Sequence, residues 1–313
     1  MSDLKYQKRK ARNTFMLLLT ALIWGCAFVA QSVGMNFIGP FTFSAVRSAV
    51  GCLFLLGYIA LIHRHTKSGK TALKSRKQLV IGGFFCGFIM FAASNLQQFG
   101  ILYSGVGKAG FITALYIVFV PLIGILLHRK HGKRLWLAVA LALVGLYLLC
   151  VKSGNLYPES GDILLILCAV IFAVHILLVD RFTNLVDGVW LSCIQFFVCA
   201  LLSAIAMFFV EEPQISAILL AWKPILYAGI LSSGIAYTLQ IVGQKGLNPV
   251  IASLIMSLES VFAALAGWFI LGETLSVREL IGCGIVFAAI ILAQIPDKSR
   301  LLPDDAEELF DKD

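Results

Sequence analysis

The stretch SLIMSLESVFAALAGWFILGE, residues 253–273, is apolar enough to belong in lipid, yet it holds Glu259 ten residues after Pro249. Ten residues of helix rise about 15 Å, half the depth of a bilayer's hydrocarbon core. A carboxylate at that depth is expensive, and it needs either a partner or a task.

The rest of the chain resembles this stretch. Of its 313 residues 59% are hydrophobic and 13% charged, and the mean hydropathy is +0.91. A soluble domain is about one quarter charged. Here the charges gather in short clusters between long apolar runs, the pattern of a chain that crosses a membrane many times. The net charge of +8 is therefore read as membrane topology with anionic lipid as its neighbour, not as a nucleic-acid surface. The eight cysteines lie in or at the ends of apolar runs without a CxxC pair. That usage suits small packing residues better than disulfides or metal ligands.

A window of about 20 residues finds ten spans, at 14–34, 39–62, 78–102, 107–128, 134–151, 162–181, 187–210, 222–245, 248–271 and 275–295. The first follows KYQKRKARN, which looks like a signal-peptide head, but the run is long enough to span and no A-x-A site closes it. Pro40, Pro224 and Pro249 fall at helix starts, where a missing N–H costs little. Pro121 falls inside the fourth span and predicts a kink. Placing the N-terminus in the cytoplasm leaves 20 of the 25 Lys and Arg residues on that side, four outside and Arg47 within a span. The asymmetry predicts a protein of the inner or plasma membrane with both termini cytoplasmic, namely a basic segment 1–13 and an acidic tail 296–313.

Five spans in 14–151 and five in 162–295 invite a comparison of the halves. FSAVRSAVGC aligns with LSCIQFFVCA, setting Arg47 over Gln195 at an offset of 148. TALYIVFVPLIG aligns with MSLESVFAALAG, setting Tyr116 over Glu259 and Gly124 over Gly267 at an offset of 143. Five is odd, so the second copy inserts upside down relative to the first. The fold class expected is all-α integral membrane, ten transmembrane helices in two inverted five-helix repeats, with a site near the midplane between them.

At this point the sequence resembles a known family. The ALIWGCAFV of the first span and the closing SLESVFAALAGWFILGETLSVRELIGCGIVFAAIIL are similar to the drug/metabolite transporter superfamily, EamA type, over essentially all of residues 14–295. The resemblance implies carrier transport by alternating access, often export of amino acids or other metabolites. The first half reads LLHRKHGK where an LGE ending is usual, and Ser260 stands where many relatives have proline.

Few strongly polar residues lie deep in the spans. Arg47 and Glu259 reach similar depths, one from each half. Facing a shared cavity, Arg47 would hold an anionic group such as a carboxylate, and Glu259 an ammonium or a proton. Alternatively, they are a buried pair that docks the halves, whose loss on one side is strongly destabilising. In the eighth span Ser233, Tyr237, Gln240 and Gln244 recur at steps of four, three and four, one stripe of a regular helix. In the third span Ser94, Asn95 and Gln98 form a polar patch with Gln97 beside it. These two sets either line the cavity or hydrogen-bond neighbouring helices. Trp24 and Tyr116 are candidate walls or gates, His175 is a lone histidine in the sixth span, and Ser253, Ser257 and Ser260 form a stripe turned away from Glu259. Gly83 and Gly87 of GGFFCG suit close helix contact.

No HExxH, GxSxG or Walker A pattern is present, and GVGKAG lacks the second half of a P-loop. The expectation is a non-enzymatic secondary transporter, without cofactor or metal, moving a small organic metabolite, an amino acid or related compound, with possible proton coupling. Uptake of a vitamin, nucleobase or similar metabolite is the alternative direction, and a membrane scaffold or signalling protein the alternative class. Small residues on the last helix fit internal packing or a homodimer seam equally.

Overall fold

The computed structural model describes residues 2–65, 76–104, 106–129, 132–151, 160–271 and 276–295. The acidic tail 296–313, most of the basic loop 66–75, Lys152 and the LGE ending at 271–273 lie wholly or partly outside the described residues.

The described chain is helical. In order it forms α1 (Ser2–Gly34), α2 (Pro40–His65), α3 (Arg76–Ser104), α4 (Val106–Ala114), α5 (Tyr116–Leu126), α6 (Lys133–Cys150), α7 (Ser160–Thr183), α8 (Gly188–Val210), α9 (Ile215–Leu220) and α10 (Trp222–Leu226). A π-helical segment, Tyr227–Ala236, then runs into α11 (Tyr237–Gln244), followed by α12 (Pro249–Met256), α13 (Glu259–Leu271) and α14 (Val277–Gln294). Local chemistry sets several starts. Asp187 caps α8 by accepting from Val189 N and Trp190 N, each at 3.0 Å. Asn248 accepts from Val250 N at 2.9 Å beside Pro249, and Ser276 with Glu279 forms a capping box on α14.

Among the described residues nine stretches are long and apolar enough to cross a membrane, one fewer than the ten expected. The fifth expected span is present as α6, an 18-residue helix, but it stands outside those nine. Its first positions are Lys133 and Arg134, followed by an apolar run from Leu135 to Cys150.

Two expected helices are interrupted. The fourth span breaks at Leu115, between α4 and α5, and the ninth breaks at Ser257 and Leu258, between α12 and α13. The kink expected at Pro121 thus falls earlier, and Pro121 itself lies within α5. Proline is not the common cause, because its repeat counterpart in the ninth span is Ala264. In the ninth span Ser253 and Ser257 donate back to Val250 O (2.9 Å) and Leu254 O (2.8 Å). Such back-bonding competes with the helical ladder and bends it. The eighth span departs too: its π segment pairs residues i and i+5, so the 100° per residue assumed for its polar stripe fails there.

The halves are interleaved. The main packed pairs are α6 with α14, α3 with α7 and α8, α2 with α8 and α1 with α13, each joining one repeat to the other. Glycines permit the closest approaches. A Cβ on Gly87 would stand 2.6 Å from Gln195 O, one on Gly25 2.7 Å from Glu259 O, and one on Gly282 2.7 Å from Gly145 O. Gly282 of the last helix therefore packs internally. Outward, Phe208, Phe209, Ile215, Phe269 and Val277 are exposed, an apolar exterior suited to lipid.

Candidate functional site

The two interrupted helices meet at the centre of the bundle. Glu259 is the first residue of α13 and Tyr116 the first of α5, and Tyr116 Oη donates to Glu259 Oε1 at 3.0 Å. Broken helices leave backbone groups unpaired, which membrane proteins tolerate where the break faces protein or a cavity. Here it faces a cavity. Its polar lining includes Gln31, Arg47, Gln97, Thr113, Gln240 and Glu259, and its walls include Trp24, Phe28, Tyr116, Phe172 and Tyr237.

Arg47 and Glu259 border this cavity without bonding to each other. Both are 4% exposed. Arg47 Nη1 donates to Gln31 Oε1 at 3.3 Å, and its guanidinium lies 5.9 Å from the centre of the Phe43 ring. Among the described residues no ion pair joins it to Glu259. The cavity thus holds one cationic and one carboxylic side chain, each with a neutral partner. Trp24 Nε1, Arg47 Nε, Thr113 Oγ1 and Gln240 Oε1 are buried there with no protein partner. Unsatisfied buried groups of this kind cost free energy and call for an explanation.

Of the residues singled out from sequence, Trp24, Arg47, Tyr116, Tyr237, Gln240 and Glu259 come together around the cavity. Trp24 packs on Tyr237 with ring centres 4.5 Å apart. Asn95, Gln98 and Gln244 lie elsewhere. Asn95 Nδ2 donates to Phe91 O (2.8 Å) and reaches Ser203 Oγ of α8 (3.2 Å). Gln244 Nε2 reaches Ile176 O at 3.4 Å, tying α11 to α7. Gln98 is fully buried with both amide atoms unpartnered. Gln97, set beside that patch by sequence, is the α3 residue that borders the cavity.

Gln31, Thr113 and Ser232 also border it. A signal for Gln31 was available: Trp24, Ala27, Phe28 and Gln31 follow the i, i+3, i+4, i+7 pattern of one helix face. Ser232 takes the place expected for Ser233, whose Cβ packs instead toward Gly51 of α2. The wide π turn shifts the stripe by one residue. Part of its displaced backbone finds a side-chain partner, Thr238 Oγ1 donating to Gly234 O at 2.7 Å, and its Tyr227 Oη donates to Ile23 O of α1 at 3.1 Å.

The repeat relation reaches into the site. The offset of 143 that separates Tyr116 from Glu259 also separates Gln97 from Gln240, and all four border the cavity.

Known proteins agree with this architecture. The EamA-like transporter family matches residues 12–151 and again 159–294. An uncharacterized transporter of Archaeoglobus fulgidus is 30% identical over 281 residues, covering 89% of this chain and 84% of its own length. The uncharacterized inner membrane transporter YedA of Escherichia coli K12 is 24% identical and covers 88% of each chain. Protein PagO of Salmonella typhimurium is 22% identical over 96% of this chain and all of its own. A crystal structure of an 18% identical protein shares the fold with a TM-score of 0.74, over 91% of this chain and 96% of its own. With the family matched in both halves and nearly the whole chain aligned to transporters, the protein is a multi-pass membrane transporter that belongs to the EamA-like transporter family.

Proposed function

We propose that the protein is a secondary transporter that moves a small organic metabolite, an amino acid or related compound, by alternating access and in the direction of export. The observation that carries the proposal is the central cavity, which places Arg47 and Glu259 of opposite repeats on one space without pairing them. Arg47 holds an anionic group of the cargo such as a carboxylate, since guanidinium is the side chain best shaped for it. Glu259 holds an ammonium or carries a proton. Trp24, Phe28, Tyr116, Phe172 and Tyr237 supply apolar surface for the remainder, as most small-molecule sites do. Breaks beside Tyr116 and Glu259 give each repeat a short segment able to tilt independently, and rocking of one repeat against the other would expose the site to each face in turn.

The distribution of Lys and Arg supports cytoplasmic termini, and the relative described as an inner membrane transporter supports the same membrane here. The test is flux into liposomes holding only this protein, with labelled amino acids, purines, flavins and sugars, with and without a pH gradient. Saturable movement of a compound bearing a carboxylate and an amine is expected. Movement of a compound lacking both would contradict the roles given to Arg47 and Glu259, and no flux of any of these compounds would contradict the proposed cargo class.

A further inference from the structure

Each repeat carries a buried polar pair between its first and second helices. In the first repeat Arg47 of α2 donates to Gln31 of α1. In the second, His175 of α7 and Gln195 of α8 are joined at 3.1 Å, Nε2 to Oε1. Arg47 lies over Gln195 at an offset of 148, and their partners Gln31 and His175 stand on the corresponding first helices, α1 and α7, with His175 farther from its helix end. Arg47 and Gln195 each stand seven residues into helices beginning at Pro40 and Gly188, about 10 Å from opposite ends of the bundle. The pairs are therefore set on either side of the midplane.

Only the first pair borders the cavity. His175 and Gln195 are fully buried, and His175 Nδ1 and Gln195 Nε2 have no partner. Whichever way the glutamine amide is turned, a neutral imidazole bonded to it leaves one donor and one acceptor free. Leaving both unmet inside a membrane bundle is costly. Nor is the pair remote from the site. Phe172 and Ile176 on the same helix line the cavity, and the Tyr237 ring, also in the lining, packs edge-on to His175 with centres 6.3 Å apart.

We propose that His175 and Gln195 form the second half of the transport site, taking a neutral hydrogen-bonding group of the cargo when the bundle opens at the end where α8 begins. The proposal rests on the alternating-access reading. Two inverted repeats that exchange conformations turn the structure over, and the position of Arg47 beside the cavity passes to Gln195, with His175 as its partner. A group with one acceptor and one donor, a hydroxyl or carboxamide, fits the free pair, whereas the Arg47 side takes the anionic group.

The experiment uses the full chain with its eight native cysteines replaced, carrying either Gln31→Cys or His175→Cys, in right-side-out and inverted vesicles. A membrane-impermeant methanethiosulfonate reagent is applied to each face. Gln31→Cys is expected to react from one face and His175→Cys from the opposite face only, with Gln195→Cys in its place if His175→Cys is not folded. A reactive Gln31→Cys beside second-pair cysteines that are inert, or that react from the same face, overturns the second half-site while leaving the carrier. Inert cysteines at all these positions overturn both.

Discussion

Tyr116 and Glu259 are hydrogen-bonded to each other at 3.0 Å across 143 residues, and each opens the second part of an interrupted helix. They are also the two residues that alignment of the repeats sets over one another. The bond thus closes near the point where the inverted halves meet. It joins both helix breaks to one cavity, and it gives the carboxylate of the ninth span a neutral partner instead of a cation.

Tyr116→Phe keeps the ring and deletes that donor, leaving Glu259 without its protein partner. A buried carboxyl group that loses such a bond is expected to cost about 1–3 kcal/mol. Thermal unfolding in detergent should show the loss as a lowered Tm. An unchanged Tm would mean that the bond contributes nothing.

Arg47 has a neutral partner, Gln31, and its removal strands no buried carboxylate. Arg47→Ala is therefore expected to keep most of its folded yield, with a loss of about 1–2 kcal/mol, rather than the 3–5 kcal/mol typical of breaking a buried ion pair. Size-exclusion profiles read the yield and proteoliposome flux the activity. Collapse of the folded fraction would restore the structural-pair interpretation, and intact transport would remove Arg47 from the site.

Glu211, just past α8, reaches the start of α2 in the other repeat. Its carboxylate accepts from Phe41 N and Thr42 N, each at 2.8 Å, and from Thr42 Oγ1 at 2.6 Å. It caps a helix from 170 residues away. Glu211→Ala should cost about 1–2 kcal/mol, the upper range for a lost cap, and Glu211→Gln less, since an acceptor oxygen remains. Melting curves of the two variants check the order, and equal losses would argue against the cap.

Much of this was legible in the sequence, for physical reasons. Hydropathy marks which segments enter lipid, and the repeat brought Tyr116 and Glu259 together on paper before any contact was known. The helix breaks were hidden, because an apolar run reads the same whether its helix is continuous or interrupted at Leu115 or Ser257. The π segment was hidden as well, and it moved the lining from Ser233 to Ser232. On α3 the choice between Gln97 and Gln98 depends on how the helix is turned. Close packing at Gly83 and Gly87 against α8 fixes that rotation, and it is a tertiary fact that no periodicity in the segment announces.

Glu259→Gln tests the central claim most directly. The substitution preserves size and one acceptor for Tyr116 while abolishing both charge and proton exchange. With the compound that the wild type carries, flux in proteoliposomes is expected to fall to background, and its response to an imposed pH gradient to vanish, while the variant stays folded with an unchanged elution profile. Wild-type flux in Glu259→Gln would contradict the account and reduce this carboxyl group to a structural partner of Tyr116.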